Sequence, residues 1–393
     1  MKQYPLFKVH IDIEAAMGEI KKVMESGYIN EGVQVTQLEN VLKQFLGESI
    51  VLTNSGTSAL TLALKLAGVQ PGDEVITTPM TCVATNTPIV AAGAKVRWAD
   101  IDPTTGMLTV ETVRVAFEKS AGKAKVVMYV AWAGNLSDNL LPIQQFCTDN
   151  GISLVLDAAH SFGAAMSVNE KIEHVSDLID YTCFSLQAIK HFTTGDGGVL
   201  GIGRSKTEQY RRARRLRWFG LDRDAAKDDK GDWKGQQWDA DIIEAGHKFN
   251  MNNVSAAIGL SQVPHITRIL NDHARNASLY DQLFLSTDIK PLVRSKDERT
   301  SRWVYTIRTP LKGPDKMKLI ELLNAEGIKA GLVHIPNDHY ACFASSRDDL
   351  PGVREFEETQ FSLPCGWWLG GSDVEHIAKR VIENYDSVAR VRR

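Results

Sequence analysis

Apolar positions along this chain alternate between a helical and a strand period. Residues 11–25 and 34–46 carry apolar residues at helical spacing, and Ser26-Gly27 and Gly47 stop the two runs. The Gly-Tyr-Ile-Asn-Glu-Gly stretch at 27–32 between them reads as a loop. Short apolar runs then predict strands at 49–53, 74–78, 95–99, 124–130 and 151–157, alternating with helices at 59–67, 84–91, 110–120 and 140–150. That alternation is the pattern of an α/β fold, with a mostly parallel sheet covered by helices on both faces. Ligands of such sheets sit beyond the carboxyl ends of the strands. Asn54–Ser58 and Asp157 both fall there.

The second half changes character. Residues 203–217 read as a basic helix, 222–245 as a long polar surface excursion, and 252–262 as a small, apolar helix. A boundary near Pro264 divides the chain into a large domain, 1–263, and a smaller C-terminal α+β domain, 264–393. The smaller part is predicted to hold helices at 266–286, 316–326 and 373–385, with strands at 303–309 and 328–335.

Composition narrows the function classes. With 393 residues, 43% hydrophobic and 24% charged, the chain is long enough for two cores and has the make-up of a globular protein. A net charge of -3 gives no general attraction to nucleic acid or an anionic membrane. The basic run 211–217 distributes its arginines around a helix and reads as a solvated face ahead of phosphate or subunit contacts. Five widely spaced cysteines without a Cys-x-x-Cys pair suggest neither a disulfide framework nor a metal site. The first residues have no signal-peptide core, and no apolar run approaches the ~20 residues of a spanning helix, so the cytoplasm is expected.

Chemistry concentrates at 181–200, where two apolar runs flank Ser185, Lys190, two threonines and Gly195, Gly197 and Gly198. The glycines make a turn that presents one hydroxyl and one amine. A lysine among apolar neighbours loses its proton more easily and, once neutral, condenses with aldehydes. Read alone, Lys190 is equally a surface lysine beside a turn. Asn54-Ser-Gly-Thr-Ser58, between a strand and a helix, aims backbone N–H groups at an anion, or is an ordinary serine cap. Asp157-Ala-Ala-His160 ends a buried strand with a carboxylate that either caps the next helix or faces a bound cation.

Together these segments, with Gly27-Tyr-Ile-Asn-Glu-Gly32, Gly246-His-Lys-Phe-Asn-Met251 and Phe361-Ser-Leu-Pro364, resemble the DegT/StrS-type sugar aminotransferases over nearly the whole chain. The resemblance implies the aspartate-aminotransferase-like fold and pyridoxal 5'-phosphate as cofactor. It assigns Lys190 to the cofactor aldehyde and to proton transfer, Asp157 to the pyridine nitrogen, and His160 to the ring hydroxyl. Gly56, Thr57 and Ser185 would hold the phosphate, with Lys248 reaching it from the second subunit of a homodimer. An amino-acid donor, expected to be glutamate, and a keto-sugar acceptor, expected to be nucleotide-linked, follow from the same resemblance. So does a place in lipopolysaccharide, other cell-surface or secondary-metabolite sugar biosynthesis. Cys82 departs from it, standing where relatives often stack an aromatic on the ring. His334, Asn337, Asp338 and His339 either line the acceptor pocket or form a structural turn. The rival functions are a sugar dehydratase, whose relatives replace the lysine, and a non-catalytic ligand sensor.

Overall fold

The computed structural model describes residues 2–222 and 241–390, with the backbone alone at 344–346. Most of the polar excursion expected at 222–245 lies outside the described residues. The chain opens with α1 (Ile13–Ser26), which Asp12 caps by accepting from the Ala15 N–H and which Gly27 ends in the left-handed region, and α2 (Val33–Leu46). Alternating elements follow: β1 (Ile50–Thr53), α3 (Gly56–Leu66), β2 (Glu74–Thr77), α4 (Val83–Ala91), β3 (Lys95–Trp98), α5 (Val110–Lys119), β4 (Ala124–Val130), α6 (Leu140–Asp149) and β5 (Ser153–Asp157). After a hairpin of β6 (Ala165–Val168) and β7 (Lys171–His174) come α7 (Val175–Leu178), β8 (Tyr181–Ser185), β9 (Gly198–Ile202), α8 (Gln209–Leu216) and α9 (Asn253–Gln262).

Seven strands form one sheet in the order β1-β9-β8-β5-β4-β2-β3. All run the same way except β9, which is antiparallel to both β1 and β8. The carboxyl ends of β1, β8, β5, β4 and β2 therefore share one edge. Val51, Leu52, Val126, Val127, Leu154, Val155 and Leu156 are buried, as strands covered on both faces require.

The last part comprises α10 (Ile266–Phe284), β10 (Lys290–Pro291), β11 (Glu298–Arg299), β12 (Tyr305–Arg308), α11 (Gly313–Ala325), α12 (Pro351–Thr359), β13 (Gln360–Leu363) and α13 (Gly371–Arg390). β10, β12 and β13 make an antiparallel sheet, whereas β11 joins the β6–β7 hairpin. A second hydrophobic cluster forms here around Tyr280, Phe284, Ile307, Leu323, Phe361, Ile377 and Val381. It includes Tyr4 from the start of the chain, while Trp303, Phe343 and Phe356 belong to the larger cluster.

Two expectations fail. No strand spans 328–335: Ile328 and Gly331 make single bridges to Tyr4 and Ser362, and the rest follows an irregular path. The arginines of 211–217 are not a merely solvated face. Arg217 is 2% exposed and reaches Glu31 at 2.6 Å and the Leu52 carbonyl at 2.7 Å, and Arg214 meets Glu39 at 2.8 Å. A cavity of about 450 Å³ between Tyr28, Arg214, Arg217 and Trp218 is bordered by these paired charges, with no lysine in its lining among the described residues.

Candidate active site

The shared strand edge opens into a cavity of about 370 Å³ lined by Gly56, Thr57, Cys82, Asp157, His160, Ser185, Lys190, Trp303 and His334, among others. Residues far apart in sequence thus meet at one point. Gly56, Thr57 and Cys82 arrive at the starts of helices and Asp157 and Ser185 at the ends of strands, whereas Lys190 sits in the turn after β8, Trp303 just before β12 and His334 on the irregular path at 328–335.

At one end, Ser55 caps α3 by accepting from the Ser58 N–H at 3.1 Å. The first-turn N–H groups of Gly56 and Thr57 have no intrahelical partner and, with the helix dipole, favour an anion there. A Cβ on Gly56 would stand 3.1 Å from the Ser185 Cβ, and one on Gly198 would stand 2.3 Å from the Ser55 carbonyl oxygen. The two glycines let the start of α3 approach the β8–β9 pair closely enough to share a cradle with Ser185.

At the other end sits Asp157, 6% exposed. Its Oδ2 accepts from the Thr85 hydroxyl at 2.7 Å and its Oδ1 from the Ala159 N–H at 3.0 Å. Burial pushes this carboxyl up, and Thr85, Ala159 and Lys190 pull it down. Burial also lowers the Lys190 amine to about 8, against the raising effect of Asp157 and Cys82. An amine in that range supplies a neutral fraction near physiological pH, which the surface reading of Lys190 would not.

Aromatic rings complete the wall. The Trp303 ring centre lies 3.6 Å from Lys190 Nζ and 4.1 Å from the His160 ring, and its N–H donates to the Ile189 carbonyl at 2.8 Å. Phe7 stacks on Trp303 at 4.6 Å. His334 lies parallel to His160 at 5.4 Å, and its buried Nε2 has no partner among the described residues. Burial and Lys190 hold His160 well below the usual imidazole range and His334 at about 4, so both rings are neutral at pH 7.

Sequence reasoning missed Trp303, which it treated as the first residue of a strand, and Thr85, hidden in an apolar helix. Cys82 is half-buried and lines the cavity. Of the four residues considered for the acceptor pocket, only His334 lines it. Asn337 is 1% exposed and spends its amide on the Thr81 carbonyl at 2.7 Å. Asp338 and His339 lie off the cavity lining. Lys248 is also absent from that lining: its Nζ donates to Asn250 at 2.7 Å and sits 3.6 Å from the Trp218 ring centre.

The donor set fits pyridoxal phosphate. An N–H and hydroxyl cradle suits the phosphate, a buried carboxylate suits the ring nitrogen, and a lysine of lowered pKa lines the same cavity. A volume of about 370 Å³ falls within the usual ~300–1,000 Å³ of small-molecule sites.

A model of the DegT/DnrJ/EryC1/StrS aminotransferase family matches residues 10–382. The UDP-4-amino-4-deoxy-L-arabinose--oxoglutarate aminotransferase of Shewanella sediminis is 29% identical over 392 residues, covering 96% of this chain and 97% of that protein. Among solved structures, the sugar aminotransferase CalS13 from Micromonospora echinospora is 29% identical with a TM-score of 0.85, covering 97% of this chain and 99% of that one. The PLP form of Spr1654 from Streptococcus pneumoniae is 25% identical with a TM-score of 0.85, covering 98% and 100%.

Proposed function

We propose, for a chain that belongs to the DegT/DnrJ/EryC1/StrS aminotransferase family, that this cavity moves an amino group from an amino acid, glutamate first among the candidates, to a keto-sugar. The observation that carries the reading is the meeting of Lys190, of lowered pKa, with Asp157 and the Gly56–Thr57–Ser185 cradle in one cavity. Glutamate and a nucleotide-linked sugar are the pair suggested by the names of relatives. Synthesis of cell-surface sugars, lipopolysaccharide included, is the setting that follows.

Pyridoxal phosphate, bound here, would supply an electron sink that lets the C–H bond beside the amino nitrogen break. The chain's own groups do the rest. Gly56 and Thr57 N–H and Ser185 Oγ would hold the phosphate. Asp157, ionised, would pair with the ring nitrogen and keep its proton in place, an opposite charge favouring the charged form of each. Neutral His160 would be the partner of the ring hydroxyl. Lys190 Nζ would take the proton from the carbon on one side of the amino nitrogen and return it to the carbon on the other, so one base serves both halves of the exchange. The rings of Trp303 and His160 exclude water from its path. Lys248 has no place in its own chain's cavity lining, and we assign it to the phosphate of a second copy in a homodimer.

Purified protein loaded with the cofactor should convert glutamate to 2-oxoglutarate, and a panel of keto-sugars should then regenerate the starting absorbance. Lys190→Ala should abolish the half-reaction. Turnover retained in that variant would favour a dehydratase, and failure with every amino donor would favour a sensor.

A further inference from the structure

Behind Asp157 lies a short run of hydroxyls that the proposed chemistry leaves unassigned. Thr81 and Thr85 stand one helical turn apart at the start of α4, 2% and 0% exposed, with their Oγ1 atoms 2.8 Å apart. Thr85 Oγ1 in turn lies 2.7 Å from Asp157 Oδ2. Each hydroxyl carries a single proton. If Thr85 donates to the carboxylate, the Thr81–Thr85 contact must be donated by Thr81. The run is then polarised one way, with two donors in series ending on an oxygen that accepts. A proton on Asp157 Oδ2 would instead be donated to Thr85, reverse the run and leave Thr81 without a donor role. The start of the run is itself anchored: the Thr81 carbonyl accepts from the Asn337 amide at 2.7 Å, and the Pro79 carbonyl accepts from the Asn337 backbone N–H at 2.7 Å.

We propose that Thr85, oriented by Thr81, is a positioning residue that fixes Asp157 as an ionised acceptor aimed into the cavity. The inference rests on the aminotransferase reading. Its physical basis is that hydrogen bonds to a charged acceptor are about twice as strong as neutral ones, and that donors in a chain reinforce each other. The titratable groups facing Asp157 are Lys190 from the turn after β8 and Cys183 from β8. His160 on its own turn and Cys82 before α4 face Lys190 in the same cavity. None of these replaces the Thr85 donor.

The test compares Thr85→Val, Thr85→Ser and Thr81→Val in the cofactor-loaded protein. It reads the acid-side half-point of kcat/KM for the glutamate half-reaction, the cofactor Kd from visible absorbance, and Tm. Removing the Thr85 donor should raise the half-point by about one pH unit and weaken cofactor binding roughly tenfold, as expected for loss of one charge-assisted bond. Thr85→Ser should restore both, and Thr81→Val should shift both in the same direction by less. Should Thr85→Val not fold, Thr81→Val, which leaves the Asp157 contact in place, decides. A variant that keeps the wild-type half-point and Kd, or loses only Tm, overturns the inference. If the wild type binds cofactor but performs no half-reaction, the aminotransferase reading falls, while the Kd series still judges Thr85.

Discussion

The side-chain nitrogen of Lys190 lies 3.6 Å from the centre of the Trp303 ring, whose own N–H holds the carbonyl of the preceding residue, Ile189, at 2.8 Å. One indole therefore fixes both the amine and the backbone that carries it. Trp303→Phe keeps a ring face and loses one hydrogen bond worth ~1 kcal/mol, so the half-reaction with glutamate should slow by no more than about fivefold. Trp303→Leu also removes a desolvated cation–π contact worth ~2 kcal/mol and should slow it more than about 30-fold. Single-turnover kinetics separate the two variants.

A pH dependence follows from the same lysine. Burial lowers its folded-state pKa to about 8, below the ordinary value of 10.5. Between those values the unfolded chain binds more protons than the folded one, so the stability of the cofactor-free protein should rise as pH increases from about 8 to 10.5. Lys190→Met removes the buried charge. Its Tm advantage over the wild type should be largest below pH 8 and shrink above it, as thermal melts across that range would show.

Arg217 makes a stability prediction. It is 2% exposed, paired with Glu31 at 2.6 Å and near Glu39 at 3.6 Å. Arg217→Ala would remove the buried guanidinium that bonds Glu31 and the Leu52 carbonyl, with Glu39 still held by Arg214, and should cost about 1–3 kcal/mol in urea unfolding. Arg211, with a mostly exposed side chain bonded to Asp222, should cost under ~1 kcal/mol on the same substitution.

Asn337 joins the loop that carries His334 to the turn that carries Cys82. Asn337→Ala removes its bonds to the Thr81 carbonyl and to Asn86 and should destabilise the fold by about 1–3 kcal/mol. Because His334 lines the cavity, KM for the sugar should rise more than KM for the amino donor in steady-state assays of this variant.

Several features of the site were readable before any coordinates. Gly47, Gly27 and the short apolar runs punctuate the chain strongly, and Asn54–Ser58 and Asp157 sit where a parallel sheet presents its strand ends. Other features needed the fold. The reversal of β9 depends on which strands it enters between, a long-range pairing with no local period. Residues 328–335 have strand-like composition, yet their neighbours offer only single bridges. The burial of Arg217 depends on glutamates from α2 and the loop before it. Trp303 looks like any core aromatic until β12 brings it against a turn more than a hundred residues earlier.

Phe7 stacks on Trp303, and Tyr4 and Pro5 are tied to Ile328 and Trp368. The leading segment is thus a back support for the reactive amine. A deletion before α1 would remove the ring behind Trp303 together with Tyr4 from the second hydrophobic cluster, so turnover and Tm should fall together.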